Sequence, residues 1–277
     1  MTVDTTELCK KIEGFMKSHH DNHGLLYDKT TQELSDGNFR VVTAKLKDIP
    51  LHRVRRNEAD NEFFHKTKDL HYADPEFVTT YGRVNKPGQS MFYCAESNQI
   101  CRLELLHDYL LKNDVGHERY FTYSQWEINK ELNFLVLAVA PSNREISNRF
   151  TIRDDCFNFI KSQPTDTQQS YFNLFDLTSN FLLKNAKTDY SVYVVCSAIA
   201  NFFTIRFPTI DGLIYPTVQG NTGYNFVLRP HTIGNKMILP KKDVYMEKWL
   251  VSNKDLTTIN PFRKIGHING DIIMWDK

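Results

Sequence analysis

Glycine is scarce in this chain, with 12 among 277 residues. The common phosphate-binding loops are built from closely spaced glycines, and neither Gly-x-Gly-x-x-Gly nor a Walker-type Gly-Lys-Ser/Thr occurs here. Gly-x-Ser-x-Gly and His-Glu-x-x-His are also absent, so the common serine-hydrolase and zinc-protease signatures are missing. Arginines and backbone amides would therefore have to hold the phosphates of any dinucleotide that binds.

Cysteine usage and charge balance narrow the class of protein further. The five cysteines are odd in number and include no Cys-x-x-Cys pair, which argues against a disulfide framework and a zinc knuckle. This pattern predicts reduced thiols and a cytoplasmic location. The formal net charge is +1, from 34 Lys and Arg against 33 Asp and Glu, and it gives no support to a nucleic-acid or anionic-membrane partner.

Long apolar runs are missing as well. No stretch approaches the roughly 18 uninterrupted apolar residues of a membrane span, and residues 1–6 lack the basic and apolar regions of a signal peptide. We therefore expect neither feature. Aromatic residues, in contrast, are plentiful, with 19 Phe and 13 Tyr. They predict a large aromatic core, and some tyrosines could instead stack on a ligand.

Hydrophobic periodicity predicts a single mixed α+β core with an N-terminal extension. We expect a helical extension over residues 1–48 and the main domain over 49–277. After residue 228 we expect mostly short strands. The predicted helices lie at 5–18, 143–162, 167–185 and 189–206, with another beginning after Ser97, and the predicted strands at 50–55, 92–95, 120–128, 132–139, 211–217, 224–228 and 272–275.

Residues 81–89, Tyr-Gly-Arg-Val-Asn-Lys-Pro-Gly-Gln, combine an aromatic ring, a guanidinium and a turn. Pro87-Gly88 predicts the turn by its backbone preferences. Tyr81 fits a core position, and Arg83 and Asn85 fit a role in pinning the loop. The same side chains in this density also suit a site for a charged, ring-bearing small molecule.

The segment that follows places an aromatic residue and a carboxylate close together in the chain. Tyr93 lies on a short apolar run typical of a buried strand, and Ser97 is suited to cap the next helix. Glu104 falls within that helix, beside its apolar stripe. A glutamate there is most often solvated, but one that is partly buried near arginines becomes an ion-pair partner or a catalytic carboxylate.

Two further positions extend the pattern. Arg53 and Arg55 alternate on a predicted strand, so both side chains share one face. Two buried guanidiniums on one face are costly unless an anion lies between them. The pair therefore indicates either a phosphate-binding site or an edge strand whose arginines are solvated. Thr217 follows a predicted strand, where a hydroxyl serves a turn or a ligand. His19 and His23 are four residues apart without a third ligand nearby, so we expect no metal there.

Taken in order, these pieces resemble the RES domain family, a toxin family named for its Arg, Glu and Ser residues. The resemblance covers roughly residues 50–230. Arg53 corresponds to the family arginine, with Arg55 as second choice, and Glu104 corresponds to the glutamate. Thr217 stands where the family has its serine. Threonine keeps the hydroxyl, but its added methyl restricts χ1, which puts the rate or the substrate fit in question. Tyr93 matches the family's strand-end aromatic residue. The matching segments are 51–55, 81–89, 92–95, 211–217 and 224–230.

The resemblance implies an ADP-ribosyltransferase-like fold with a mixed β core surrounded by helices. It further implies NAD as substrate, cleavage of the nicotinamide–ribose bond with water or phosphate as acceptor, and a cognate antitoxin as partner. A protein ADP-ribosyltransferase and an inactive NAD-binding module are the alternatives. The N-terminal helix could cap the site or mediate homo-oligomer formation.

The resemblance implies a role for each of these residues in cleaving the nicotinamide–ribose bond. Glu104 would stabilise the oxocarbenium character of the ribose, and Thr217 would orient Glu104 or bind ribose. Arg53 would bind the pyrophosphate, assisted by Arg55 or Arg83. Tyr93 or Tyr81 would provide a flat surface for the nicotinamide ring. None of these steps requires a metal.

Overall fold

The computed structural model describes residues 4–59, 61–111, 115–139, 151–184, 189–218, 223–252 and 256–276, with the backbone alone described at 106–111 and 256–262. These ranges contain helices and strands, along with two short 3-10 helices at Thr67–Leu70 and Pro75–Phe77. The helices are α1 (Thr5–Ser18), α2 (His23–Ser35), α3 (Asn98–Leu111), α4 (Ile152–Lys161), α5 (Thr165–Leu182), α6 (Ser191–Arg206) and α7 (Pro230–Gly234). The strands are β1 (Val42–Leu46), β2 (Pro50–Asn57), β3 (Phe92–Ala95), β4 (Glu118–Ile128), β5 (Leu132–Val136), β6 (Gly212–Pro216), β7 (Tyr224–Leu228), β8 (Ile238–Val251), β9 (Leu256–Asn269) and β10 (Ile272–Trp275).

The ten described strands form one mixed sheet in the order β1-β5-β6-β7-β3-β2-β4-β8-β9-β10. The β5–β6 pair is parallel, and the other neighbouring strands pair antiparallel. The α+β prediction is therefore confirmed.

Helices cover both faces of the central strands. Along β6, Leu213 and Tyr215 contact the cluster formed with α1, α2, α5 and α6, while Ile214 contacts the cluster that includes α4. This alternation is the two-residue period of a strand. Because both faces are covered, β6 and β7 are buried along their whole lengths.

The N-terminal helices lie directly on this core. Asp4 caps α1 by accepting hydrogen bonds from the backbone N–H groups of Thr6 and Glu7, and the predicted helix at 5–18 is confirmed. A break follows, and α2 begins at His23, so His19 and His23 do not share a helix. Strand β1 joins the sheet beside β5, and the division of the chain at residue 48 stays a prediction.

The C-terminal third corrects one expectation. Instead of mostly short strands, β8 and β9 each run for 14 residues as a long hairpin beside β4. A clean two-residue hydrophobic period is missing because the register shifts between Ser124 and Trp126 and again between Glu247 and Trp249. Pro240 inside β8 obscures the pattern further.

Other outcomes concern single segments. The predicted helix at 143–162 matches α4 from Ile152 onward, and residues 143–150 lie outside the described ranges. All five cysteines carry free thiols. Among the described helices, none combines the length and the apolarity needed to cross a membrane.

Candidate functional site

A cavity of about 320 Å³ lies where β2, β3, β7 and α3 meet. Its walls carry both cationic and anionic side chains together with aromatic rings, which is the mixture expected for a polar ligand with a ring. The residues on which its chemistry depends are Arg53, Arg83, Tyr93, Glu104, Tyr215 and Asn225.

Helix α3 brings Glu104 to this cavity. The Ser97 hydroxyl oxygen accepts a hydrogen bond from the backbone N–H of Ile100 at 3.3 Å, so the predicted helix start is confirmed. Ile100 and Cys101 pack with Ala95 and Val54. Residues three and four positions apart share a helix face. Glu104 therefore lies on the side of α3 that faces the sheet.

The Glu104 carboxylate is held through one of its two oxygens. Oε1 accepts hydrogen bonds from Thr217 Oγ1 at 2.7 Å, from Asn225 Nδ2 at 2.9 Å and from the backbone N–H of Val218 at 3.3 Å. Within the described residues, no donor reaches Oε2. Because Glu104 also lines the cavity, this arrangement fixes the carboxylate while leaving one oxygen to interact with a ligand.

At the opposite wall, Arg53 is held by backbone carbonyls. Its Nε donates to Leu70 O at 2.9 Å, Nη1 to Tyr93 O at 2.6 Å and Nη2 to His71 O at 3.0 Å. Strands β2 and β3 share a single register pair, at His52 and Ala95. The guanidinium fills the space where these strands separate.

The charge of Arg53 persists despite this burial. Burial, followed by repulsion from Arg55, lowers the pKa of Arg53 to about 10. The group therefore stays cationic near neutral pH. Three of its five N–H groups donate to the carbonyls. No described residue accepts from the other two, and Arg53 lines the cavity, so an anion there could accept from them.

Two thiols in the cavity wall are poor nucleophiles by the same argument. Burial raises the pKa of Cys101 to about 12 and that of Cys94 well above its ordinary value. Both stay protonated near neutral pH, whereas the thiolate is the reactive form. Burial also raises the pKa of Tyr215. Glu104 is therefore the side chain of this wall best suited to interact with a developing positive charge.

Tyr93 joins the cavity to the loop at residues 81–89. Its hydroxyl donates to Asn85 Oδ1 at 2.7 Å and accepts from the backbone N–H of Val84 at 3.2 Å. A Cβ at position 82 would collide with Asn85 Oδ1 and lie 2.9 Å from the Tyr93 hydroxyl. Glycine at position 82 therefore lets these two groups approach the backbone without being displaced. The predicted turn is present, with Gly88 at φ 75°.

Arg83 also lines the cavity, but its guanidinium hydrogen-bonds to the end of a helix. It donates from Nη1 to Leu182 O at 2.8 Å and from Nη2 to Lys184 O at 3.0 Å. These carbonyls lie at the C-terminal end of α5, where a cation also interacts favourably with the helix dipole. The guanidinium lies 5.4 Å from the ring centroid of Tyr193.

Three of the predicted site residues lie elsewhere. Arg55 lines a different cavity. Tyr81 packs with His23 and Tyr27 of α2. Thr217 is 1% exposed and acts on Glu104 through its hydroxyl rather than lining the cavity.

Sequence reasoning missed Asn225, whose side chain holds Glu104. Its signal was available, since it is the polar side chain inside the otherwise apolar run at 224–228. Tyr193 and Tyr215 also line the cavity. They gave no comparable signal, because each lies in a run of buried residues.

No group of three or more His, Cys, Asp or Glu side chains within the described ranges is arranged to hold a metal ion.

Comparisons with known proteins give limited information. No protein-family model matches the chain, and no curated protein matches it. Among solved structures, the crystal structure of the M. tuberculosis MbcT–MbcA toxin–antitoxin complex matches with a TM-score of 0.37 and 13% sequence identity. The match covers 80% of this chain and 92% of the other. It is too distant to assign a family or an activity.

Proposed function

We propose that this protein is an NAD-consuming enzyme that cleaves the bond between nicotinamide and ribose. The observation that carries the proposal is the geometry of Glu104. One carboxylate oxygen accepts from Thr217, Asn225 and Val218, and the carboxylate lines the cavity that Arg53 also lines.

The fixed carboxylate suits the electrostatics of this reaction. Departure of nicotinamide leaves positive charge on the anomeric carbon and ring oxygen of the ribose. A carboxylate held in place before the reaction stabilises that charge without reorganising. The Oε2 oxygen of Glu104 is the atom we assign to this role, acting on the charge or on a ribose hydroxyl.

The other cavity walls fit the remaining parts of the substrate. The two remaining N–H groups of Arg53 suit a pyrophosphate oxygen, since guanidinium–phosphate hydrogen bonds are charge-assisted. The rings of Tyr93 and Tyr193 lie in the same cavity, where they would contact the flat nicotinamide. Arg83 adds positive charge behind them.

Threonine at position 217 fits this role. Its hydroxyl donates to Glu104 at 2.7 Å, which is the hydrogen bond that a serine would also make. The added methyl lies in a buried environment rather than in the cavity. The departure from the family serine is therefore compatible with turnover, and we favour an active enzyme over an inactive NAD-binding module.

The resemblance of residues 50–230 to RES toxins adds a biological setting. We propose that the chain acts as a toxin by depleting NAD and that a cognate antitoxin restrains it. Induced expression with and without Glu104→Gln would separate toxicity by NAD loss from a general burden of expression. Growth arrest accompanied by a fall in cellular NAD is expected only for the wild-type protein.

Incubation of the purified protein with NAD tests the reaction. We expect release of nicotinamide, with ADP-ribose formed in buffer and ADP-ribose 1″-phosphate formed if phosphate is the acceptor. Label transfer from adenine-labelled NAD to a macromolecule would instead identify a protein ADP-ribosyltransferase. Tight NAD binding without nicotinamide release would overturn the enzymatic proposal.

A further inference from the structure

Tyr215 carries a buried hydroxyl that the fold leaves without a partner. The residue is 3% exposed and lines the Glu104 cavity. Among the residues that the structure describes, none forms a hydrogen bond with this hydroxyl. A buried phenolic O–H usually finds a partner. Its position in the cavity wall therefore indicates a partner supplied by a bound ligand.

The pairing of β6 with β7 fixes the face on which the Tyr215 side chain lies. Tyr215 is directly opposite Asn225 in the antiparallel register, so the two side chains are neighbours on one face of the sheet. Thr217, two residues further along the chain, continues the same face. Asn225 and Thr217 both donate to Glu104 Oε1, at 2.9 and 2.7 Å. Tyr215 therefore belongs to the row of side chains that holds the carboxylate.

The aromatic wall of the cavity adjoins this row. Tyr93 lies on β3, the strand on the other side of β7, and lines the cavity together with Tyr215. The Tyr93 hydroxyl is already bonded to Asn85 and Val84, so its ring is the part left for a ligand. In a cavity of about 320 Å³, a ligand ring that packs against Tyr93 has its substituents within reach of the Tyr215 hydroxyl.

The charges around this hydroxyl select the kind of ligand atom that it can bind. Burial, followed by the neighbouring Tyr93 and Glu104, raises the pKa of Tyr215 well above its ordinary value. The group is therefore a neutral donor near neutral pH. The charge of Glu104 disfavours a second anion at this position, and Arg53 is available to phosphate at the opposite wall. A neutral acceptor such as an amide carbonyl oxygen fits the hydroxyl best.

We infer that Tyr215 selects the nicotinamide end of the substrate by donating a hydrogen bond to the carboxamide oxygen. The inference rests on the proposed function for the identity of the ligand. The contact is present both before and while the bond to ribose breaks, so it strengthens the binding of substrate and transition state alike. Tyr215 is thus a specificity residue, and loss of its hydroxyl should raise KM with little change in kcat.

Tyr215→Phe tests the contact, because it removes the hydroxyl and keeps the ring. Binding is measured by calorimetric titration in a Glu104→Gln background, which prevents turnover. The ligands are NAD and its analogue with an unsubstituted pyridine in place of nicotinamide. With Tyr215 present, we expect NAD to bind about tenfold tighter than the analogue, the scale of one hydrogen bond. In Tyr215→Phe the two ligands should bind about equally, because the carboxamide oxygen has lost its donor.

Tyr123→Phe is the matched control. Tyr123 is a strand tyrosine that is 2% exposed, its hydroxyl also lacks a partner among the described residues, and it lies outside the cavity. Removing an unpartnered buried hydroxyl costs little stability. Both variants should therefore melt at the temperature of the wild-type protein, and Tyr123→Phe should keep the full preference for NAD over the analogue.

An unchanged preference for NAD in Tyr215→Phe, or an equal loss of affinity for both ligands, would overturn the inference. The second result would assign the hydroxyl to a part common to both ligands, such as a ribose. Normal release of nicotinamide by the wild-type protein alongside either result would leave the proposed reaction standing. Conversely, a preference that depends on Tyr215 without any release of nicotinamide would reject the reaction and retain the contact. Absence of NAD binding would overturn both.

Discussion

The two ends of the Glu104 cavity are held by different kinds of groups. At the carboxylate end, Glu104 accepts from two side chains and one backbone N–H. At the guanidinium end, Arg53 donates to three backbone carbonyls. Side-chain donors can be removed with the backbone intact, whereas the carbonyls depend on Arg53 for these hydrogen bonds. Substitution at the carboxylate end should therefore alter turnover, and substitution at the guanidinium end should alter folding.

The largest effect on stability is expected from Arg53→Met. Methionine fills much of the volume, but the carbonyls of Leu70 and Tyr93 lose this donor, while the His71 carbonyl keeps its hydrogen bond from Arg55 Nη1. At about 1 kcal/mol or more for each acceptor left without a partner, the free energy of unfolding should fall by about 2 kcal/mol or more. Denaturant unfolding monitored by circular dichroism measures it.

Arg56→Met is the matched control for this change. Arg56 lies on the same strand, β2, but is exposed and paired with Glu58 at 3.4 Å. An exposed ion pair of this kind contributes at most about 1 kcal/mol. Similar losses of stability in the two variants would show that Arg53 does not brace the guanidinium end.

The next effect is on turnover at the carboxylate end. Thr217→Val and Asn225→Ala each remove one donor to Glu104 Oε1. We expect each to lower kcat for nicotinamide release by about tenfold or more, since small misplacement of a reacting group is costly. KM should change little. The double variant should lose less than the product of the two single effects, because both donors act on one carboxylate.

Thr217→Ser supplies the control, since it keeps the hydroxyl and removes the methyl. We expect it to retain the kcat that Thr217→Val loses. If Thr217→Val and Thr217→Ser lose activity equally, the role of this position is packing of its methyl rather than orientation of Glu104.

The fold was predictable where local patterns and burial agree. The helix at Thr5–Ser18 and the strands at Phe92–Ala95 and Tyr224–Leu228 follow from periodicity and from caps or turns. The long β8–β9 hairpin was not predictable, because its register shifts break the two-residue period. Pairing partners of β8 are also distant in the chain, which local pattern does not encode.

The candidate site divides in the same way. Arg53, Tyr93 and Glu104 could be selected from the sequence, and the structure brings them to one cavity. Arg55 was grouped with Arg53 because both lie on one strand face. The strand's departure from β3 and the intervening Leu70–His71 segment put Arg55 in a different cavity. The role of Asn225 could not be predicted from the sequence, because it depends on the fold that brings its side chain beside Glu104.

The smallest effect concerns pH and the guanidinium end. Burial, and then the charge of Arg53, lowers the pKa of His71. The folded protein therefore binds fewer protons at His71 than the unfolded chain between that lowered pKa and the ordinary value of about 6.5. The free energy of unfolding should fall as the pH drops through this window.

His71→Gln should make that fall shallower, because glutamine does not titrate. His20→Gln, at a histidine whose side chain is 66% exposed, should leave it unchanged. Stability curves from urea unfolding at several pH values below 7 provide the measurement. If the free energy of unfolding falls equally steeply with pH in wild type and His71→Gln, then His71 does not cause the pH dependence.

The most direct test of the account is single-turnover release of nicotinamide from NAD by wild type and by Glu104→Gln. Glutamine keeps the size of the side chain and removes the charge that should stabilise the oxocarbenium-like transition state. We expect the rate to fall by about a thousandfold, the scale of losing a principal electrostatic group, while NAD still binds. Glu131→Gln, an exposed carboxylate paired with Lys45, should match wild type. Equal rates for Glu104→Gln and wild type would contradict the assignment of Glu104 as the catalytic carboxylate.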